Sequence, residues 1–144
     1  MDYCAAADLA ERLSNNELIQ LTDDANTGVA NQDLIARAIS AAQDTIDGYL
    51  RGRYTVPLVS VPGIVKSIAT DLAAYSLFKR RNQLQVNEAK ELMYKKAMAQ
   101  LKDIQAGIIL LETAAGAALP PKPLMKSNKR PSDKIFDKQK LEGF

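Results

Sequence analysis

Asp44 and Asp47 stand three residues apart, a spacing that places two carboxylates on one face of a helix. Such a pair can share acid and base work when a cleft holds the two groups in unequal surroundings. Arg51 follows Asp47 by four residues, which sets opposite charges side by side on a helix. Asp71, on the next helical pattern, can approach Arg51 or Arg53. Salt bridges are therefore the expectation here, and acid–base catalysis is not.

The other chemical signals are thin. The chain has no histidine, so the commonest general base and metal ligand is missing. Its single cysteine, Cys4, has no histidine to activate it and cannot form an internal disulfide. That cysteine usage points to a reducing compartment. Gly48 and Gly52 flank Arg51 but match neither the phosphate-cradling nor the dinucleotide-binding glycine pattern. The run Thr22 to Gly28 faintly resembles a calcium loop. With Asp24 in the first position, Gly28 falls on the fifth and Ile35 on the twelfth, so the bidentate glutamate is missing and a plain turn is expected. Catalytic residues, cofactor and metal are accordingly expected to be none.

These residues need helices to carry them. Apolar residues make up 47% of the 144, enough for one core, while aromatics at 6% and the lack of Trp favour an aliphatic helical interior. Ala5 to Leu13 reads as a short helix. Ser14 and Glu17 form a capping box that starts a second one, through Leu21. Asn31 is placed to cap a long helix from Gln32 to Leu50, with Ile35, Ile39, Ala42, Ile46 and Tyr49 on one stripe. Gly52 and Pro57 break that pattern, and Tyr54 to Val59 is expected to be extended or turn-like. Pro62 suits the first turn of the next helix, whose stripe is Val65, Ile68, Leu72 and Tyr75 or Ser76 and whose end carries Lys79, Arg80 and Arg81. A third long helix spans Val86 to Gln105, with Ala89, Met93, Ala97, Leu101 and Ile104 inward, and Gly107 ends it. Ile108 to Glu112 fits either a short strand or a hydrophobic extension. The expected fold is all-α, a bundle of three long helices plus two short N-terminal helices, with an extended C-terminal tail.

The domain division falls at residue 112. Beyond it, from 113 to about 135, small residues, prolines and lysines make a linker that reads as flexible in isolation, extended around Pro120 to Pro123. Residues 120 to 144 hold seven Lys/Arg against three Asp/Glu, a net +4, while residues 1 to 119 hold twelve against fourteen, a net −2. A basic tail on an acidic body points to an acidic surface or nucleic acid as partner, or simply to a solvated, lysine-rich tail. Ile135, Phe136, Leu141 and Phe144 return as apolar anchors, to dock on a partner or back on the same subunit. No secretory signal is expected at the N-terminus. The longest strictly apolar run, Ile108 to Leu111, is too short to span a bilayer, so no membrane contact is expected.

One stretch gathers the unusual residues: Ile46-Asp-Gly-Tyr-Leu-Arg-Gly-Arg-Tyr-Thr-Val-Pro-Leu58. With Tyr3-Cys-Ala-Ala-Ala-Asp-Leu-like spacing at the start, Glu17-Leu-Ile-Gln-Leu-Thr-Asp23, and Asp71-Leu-Ala-Ala-Tyr75-Ser-Leu77, it resembles the small head–tail protein family of Mu-like phages and prophages. The resemblance covers nearly the whole chain. More distantly, the chain is similar to helical head–tail connector, or adaptor, proteins. What this implies is a structural subunit, without enzymatic activity, that forms a homo-oligomeric, commonly dodecameric ring beneath the portal protein and continues the DNA channel. It would touch the portal, a neighbouring tail or head-completion protein, and packaged DNA without sequence preference. The protein would be made in the bacterial host cytoplasm and end in the virion at the head–tail junction. In that setting Asp47, Arg51, Arg53, Tyr54, Pro57 and Asp71 form a structural corner, with Arg53 bridging to Asp47 or Asp71, and Ile135, Phe136, Leu141 and Phe144 form a docking tail. The competing reading is a small nucleic-acid-binding regulator using its basic tail.

Overall fold

A computed structural model describes residues 2–81 and 88–112. Its five elements are all helices: α1 (Ala6–Arg12), α2 (Asn15–Thr22), α3 (Gln32–Leu50), α4 (Gly63–Arg80) and α5 (Glu88–Ala106). The small all-α bundle expected from the periodicity is the fold observed. The linker and the tail anchors Ile135, Phe136, Leu141 and Phe144 lie outside the described residues.

The helices begin where local chemistry can satisfy their free N–H groups. Ser14 and Glu17 close a reciprocal box: the Glu17 amide donates to the Ser14 hydroxyl at 3.3 Å, and the Ser14 amide to the Glu17 carboxylate at 3.0 Å. The Asn31 side chain accepts from the amides of Asp33 and Leu34 at 3.0 and 3.3 Å, starting α3. Asp8 reaches back to the Ala5 amide at 2.8 Å and so starts α1 without a polar residue at its cap. Pro62 stands at the cap of α4, one residue earlier than the first-turn position expected for it.

α4 is the central element, packed by α1, α2, α3 and α5. Its buried residues are Val65, Ile68, Ala69, Thr70, Leu72, Ala73, Ala74, Leu77 and Phe78, a far wider surface than a single stripe. Alanines make this possible. Ala73 and Ala74 are fully buried, and their small side chains let neighbouring helices approach on two sides. The Thr70 hydroxyl is used up within the helix, donating to the Lys66 carbonyl at 2.9 Å.

α3 and α5 complete the core from either side. Ile35, Ala38, Ile39, Ala42, Ile46 and Leu50 are buried on α3, as its stripe requires, and Tyr49 is half-buried. On α5 only Ala97, Leu101 and Ile104 are fully buried. Met93 is half-buried, and Ala89, expected inward, is exposed. It lies in the first turn of α5, before the helix has closed on the core. Tyr94, off that stripe, stacks on Tyr75 of α4 with ring centroids 4.3 Å apart.

The close approach at α4 sets a measurable expectation. Ala73→Leu should lower stability by about 1–3 kcal/mol through overpacking, seen as a lower urea midpoint at unchanged slope.

Candidate functional site

The turn that leaves α3 is bound to three other parts of the chain. The Arg53 Nε donates to the Gln105 carbonyl at 2.6 Å and its Nη2 to the Ala106 carbonyl at 2.8 Å. A helix ends with carbonyls that have no internal partner and carry partial negative charge, so a guanidinium is well matched to them. The carbonyls just before these are closed by the chain itself. The Gly107 amide donates to Ile104 at 3.0 Å and the Ile108 amide to Asp103 at 2.9 Å, the paired bonds of a Schellman motif. Gly107 takes φ +80°, which suits glycine, and a Cβ there would run into the Arg53 guanidinium. Arg53 and the chain together thus close the whole end of α5.

Two buried tyrosines extend the same junction. The Tyr54 hydroxyl accepts from the Leu111 amide at 3.2 Å, fixing the segment that follows α5. The Tyr3 hydroxyl accepts from the Leu58 amide at 2.9 Å and donates to Asp47 Oδ1 through a short hydrogen bond. Burial, and next the bond to Asp47, push the Tyr3 hydroxyl up to about 12. Val56–Pro57 is a cis peptide within this turn.

Of the six expected corner residues, Asp47, Arg53, Tyr54 and Pro57 are thus part of one junction. The expected partners are corrected. Arg53 bridges to backbone carbonyls of α5, not to Asp47 or Asp71, because the carbonyl pair at the helix end suits its fork better than one distant carboxylate. Asp47 is taken by Tyr3, and Arg51, at the C-cap of α3, is exposed. Asp71 sits elsewhere, between α1 and α4, 3.2 Å from Arg12 Nε. That contact misses hydrogen-bond alignment, so Asp71 Oδ1 is buried with an ion-pair neighbour but no hydrogen bond. Burial pushes the Asp71 carboxyl up, with Arg12 and Lys96 opposing. Gly48 faces open space.

Other charged groups, whose partners the sequence did not indicate, are also paired. Lys66 meets Asp8 at 2.8 Å, which holds the Asp8 carboxyl below its usual range. Arg80 grips Asp24 with two hydrogen bonds, 2.7 and 2.8 Å, and the Leu21 carbonyl with a third at 2.7 Å. Arg81 adds Asp24 at 3.1 Å and the Asp23 carbonyl at 3.0 Å. The two guanidinium groups hold the Asp24 carboxyl well below the ordinary carboxylate range. The Thr22–Gly28 run is indeed a turn: Asp23 accepts from the amides of Thr27 and Gly28 at 2.9 and 2.6 Å, turning its carboxylate inward on the backbone. Among the described residues, no cluster of three metal-ligating side chains occurs. Cys4 is buried, and burial pushes its thiol up, which disfavours the reactive thiolate.

The family described as Bacteriophage Mu, Gp36 matches residues 3–127. The chain belongs to that family. Gene product J of Escherichia phage Mu is 29% identical over 108 residues, 74% of either chain. The Mu-like prophage FluMu protein gp36 of Haemophilus influenzae is 32% identical over 77 residues, 54% of this chain and 52% of the relative. The match of the Gp36 family covers the junction, its three anchors and all five helices. The chain is phage-related, and among its described residues no helix is long and apolar enough to cross a membrane.

Two outcomes test the site. Arg53→Ala should cost about 1–2 kcal/mol, a fall of a few degrees in melting temperature. Gly107→Ala already displaces the guanidinium, so the double variant should be measurably less destabilised than the sum of the singles. For Asp24, the folded carboxyl is held below its unfolded value, so the stabilisation is present above the unfolded pKa of about 4 and is lost as pH falls further. Asp24→Asn should therefore lower the melting temperature at pH 7 but converge on the parent protein in acid below pH 4.

Proposed function

We propose that this protein is a structural head–tail connector subunit, non-enzymatic, which assembles as a ring against the portal and lines the channel through which DNA passes. The observation that carries the reading is the membership of the Bacteriophage Mu, Gp36 family over residues 3–127. The use of the ionic groups supports it. Arg12, Arg53, Lys66, Arg80 and Arg81 are spent on helix ends and carboxylates of the same chain. That arrangement suits a rigid building block, whose identical copies can meet through heterologous faces that close into a ring. Ring-on-ring contact then allows weak individual contacts to suffice.

The same pairing weakens the regulator reading. Arg80 and Arg81, the densest cations of the helical body, already hold Asp24 and are not free for phosphates. A nucleic-acid role would therefore rest on residues 120–144.

Mixing the purified chain with the portal protein of its own phage, followed by electron microscopy of single particles, tests the proposal. The expected result is added ring density of dodecameric symmetry on one face of the portal. Bare portal particles at saturating concentrations of the chain would overturn it. A salt-sensitive mobility shift on duplex DNA, without portal binding, would instead select the regulator.

A further inference from the structure

The segment after α5 alternates. Ile109 packs against the core and Leu111 is 1% exposed, while Ile108 and Leu110 are 75% and 48% exposed. Ile108 and Leu110 are therefore the two apolar side chains that this segment turns outward. The segment is rigidly held, by the Schellman bonds at Gly107 and Ile108 and by Tyr54 on the Leu111 amide. An apolar surface fixed in place by buried anchors is unlike a scattered surface leucine and points to a cover.

The chain itself ends in a segment that fits. Residues 113–144 begin next to this surface, and their last ten carry Ile135, Phe136, Leu141 and Phe144 among two lysines and two acidic residues. The 22 residues from 113 to 134 span roughly 25 Å as a coil and roughly 70 Å fully extended, so they return to their own origin without strain. Tethering sets an effective concentration on the order of millimolar. A contact of millimolar Kd is then half occupied within one molecule, yet too weak to join two molecules at micromolar concentration.

We propose that residues 135–144 dock on the Ile108–Leu110 face of their own subunit and shield it in the free protein. The shield deepens the connector reading, because an assembly partner that displaces the segment would expose the apolar face only on site. It is nevertheless measured on the isolated chain, so its failure is separate from failure to bind a portal.

The test places Cys at Ile108 and at Phe136 in the full chain, with the buried Cys4→Ala in every variant and circular dichroism as a check on the fold. Oxidation at micromolar protein should give a compact, fast-migrating monomer on a non-reducing gel, in a yield independent of concentration. A control pair with Cys at the exposed Ser40 of α3 and at Phe136 should cross-link several-fold less. Dimers that grow with concentration would assign the segment to a neighbouring copy and overturn the proposal. Equal yields for the two pairs, or no cross-link, would overturn docking altogether. Independently, the double variant Phe136→Ser and Phe144→Ser should bind several-fold more of a dye for exposed apolar surface, and amide exchange at 108–111 should quicken by about tenfold. Unchanged dye binding and exchange would also overturn it.

Discussion

The fork of Arg53 on the last carbonyls of α5 is the contact around which the structure is arranged. A helix end needs partners, and in an isolated helix water supplies them. Here the end is tucked against a turn, so the partners come from the protein. Arg53 gives two, and the chain's reversal at Gly107 gives two more. Because one guanidinium joins the exit of α3 to the exit of α5, the position of one long helix dictates the other. α4 then fills the space between them, with alanines where the approach is tightest.

The remaining polar contacts follow the same logic of tying ends to neighbours. Arg80 and Arg81 hold the far end of α4 to the loop between α2 and α3 through Asp24 and two carbonyls. Asp8 and Lys66 join α1 to the start of α4. Surface ion pairs of this kind contribute little individually. Their value lies in fixing the relative orientation of the helices they join.

Much of this frame was legible in the sequence. Asn31, the stripe from Ile35 to Tyr49 and the break at Gly52 marked both ends of α3, because capping and periodicity are local signals. The Ser14–Glu17 box marked α2 for the same reason. The corner was legible as a place, through Arg53, Tyr54 and Pro57, but its wiring was not. Arg53 binds backbone carbonyls, and a carbonyl leaves no trace in residue type. Arg12 and Asp71, like Arg80 and Asp24, are more than fifty residues apart, so no spacing rule connects them. A four-residue stripe also understated α4: a helix packed from several sides buries its alanines and Thr70, which carry weak hydropathy, and Leu77 and Phe78, which lie off a single stripe.

The junction has a temporal consequence during synthesis. Residues 51–58 emerge from the ribosome long before residues 105–111, yet Arg53 and Tyr54 find their partners only there. Tyr3 can seat on Leu58 and Asp47 as soon as α3 and its turn are out. The first half of the chain can therefore begin to organise early, while the guanidinium and the second tyrosine wait in water for α5. Closing those sequence-distant loops carries an entropic cost that only the complete helical body can offset. The corner is thus a late checkpoint on the nascent chain: a polypeptide truncated before residue 105 would lack the contacts that lock it.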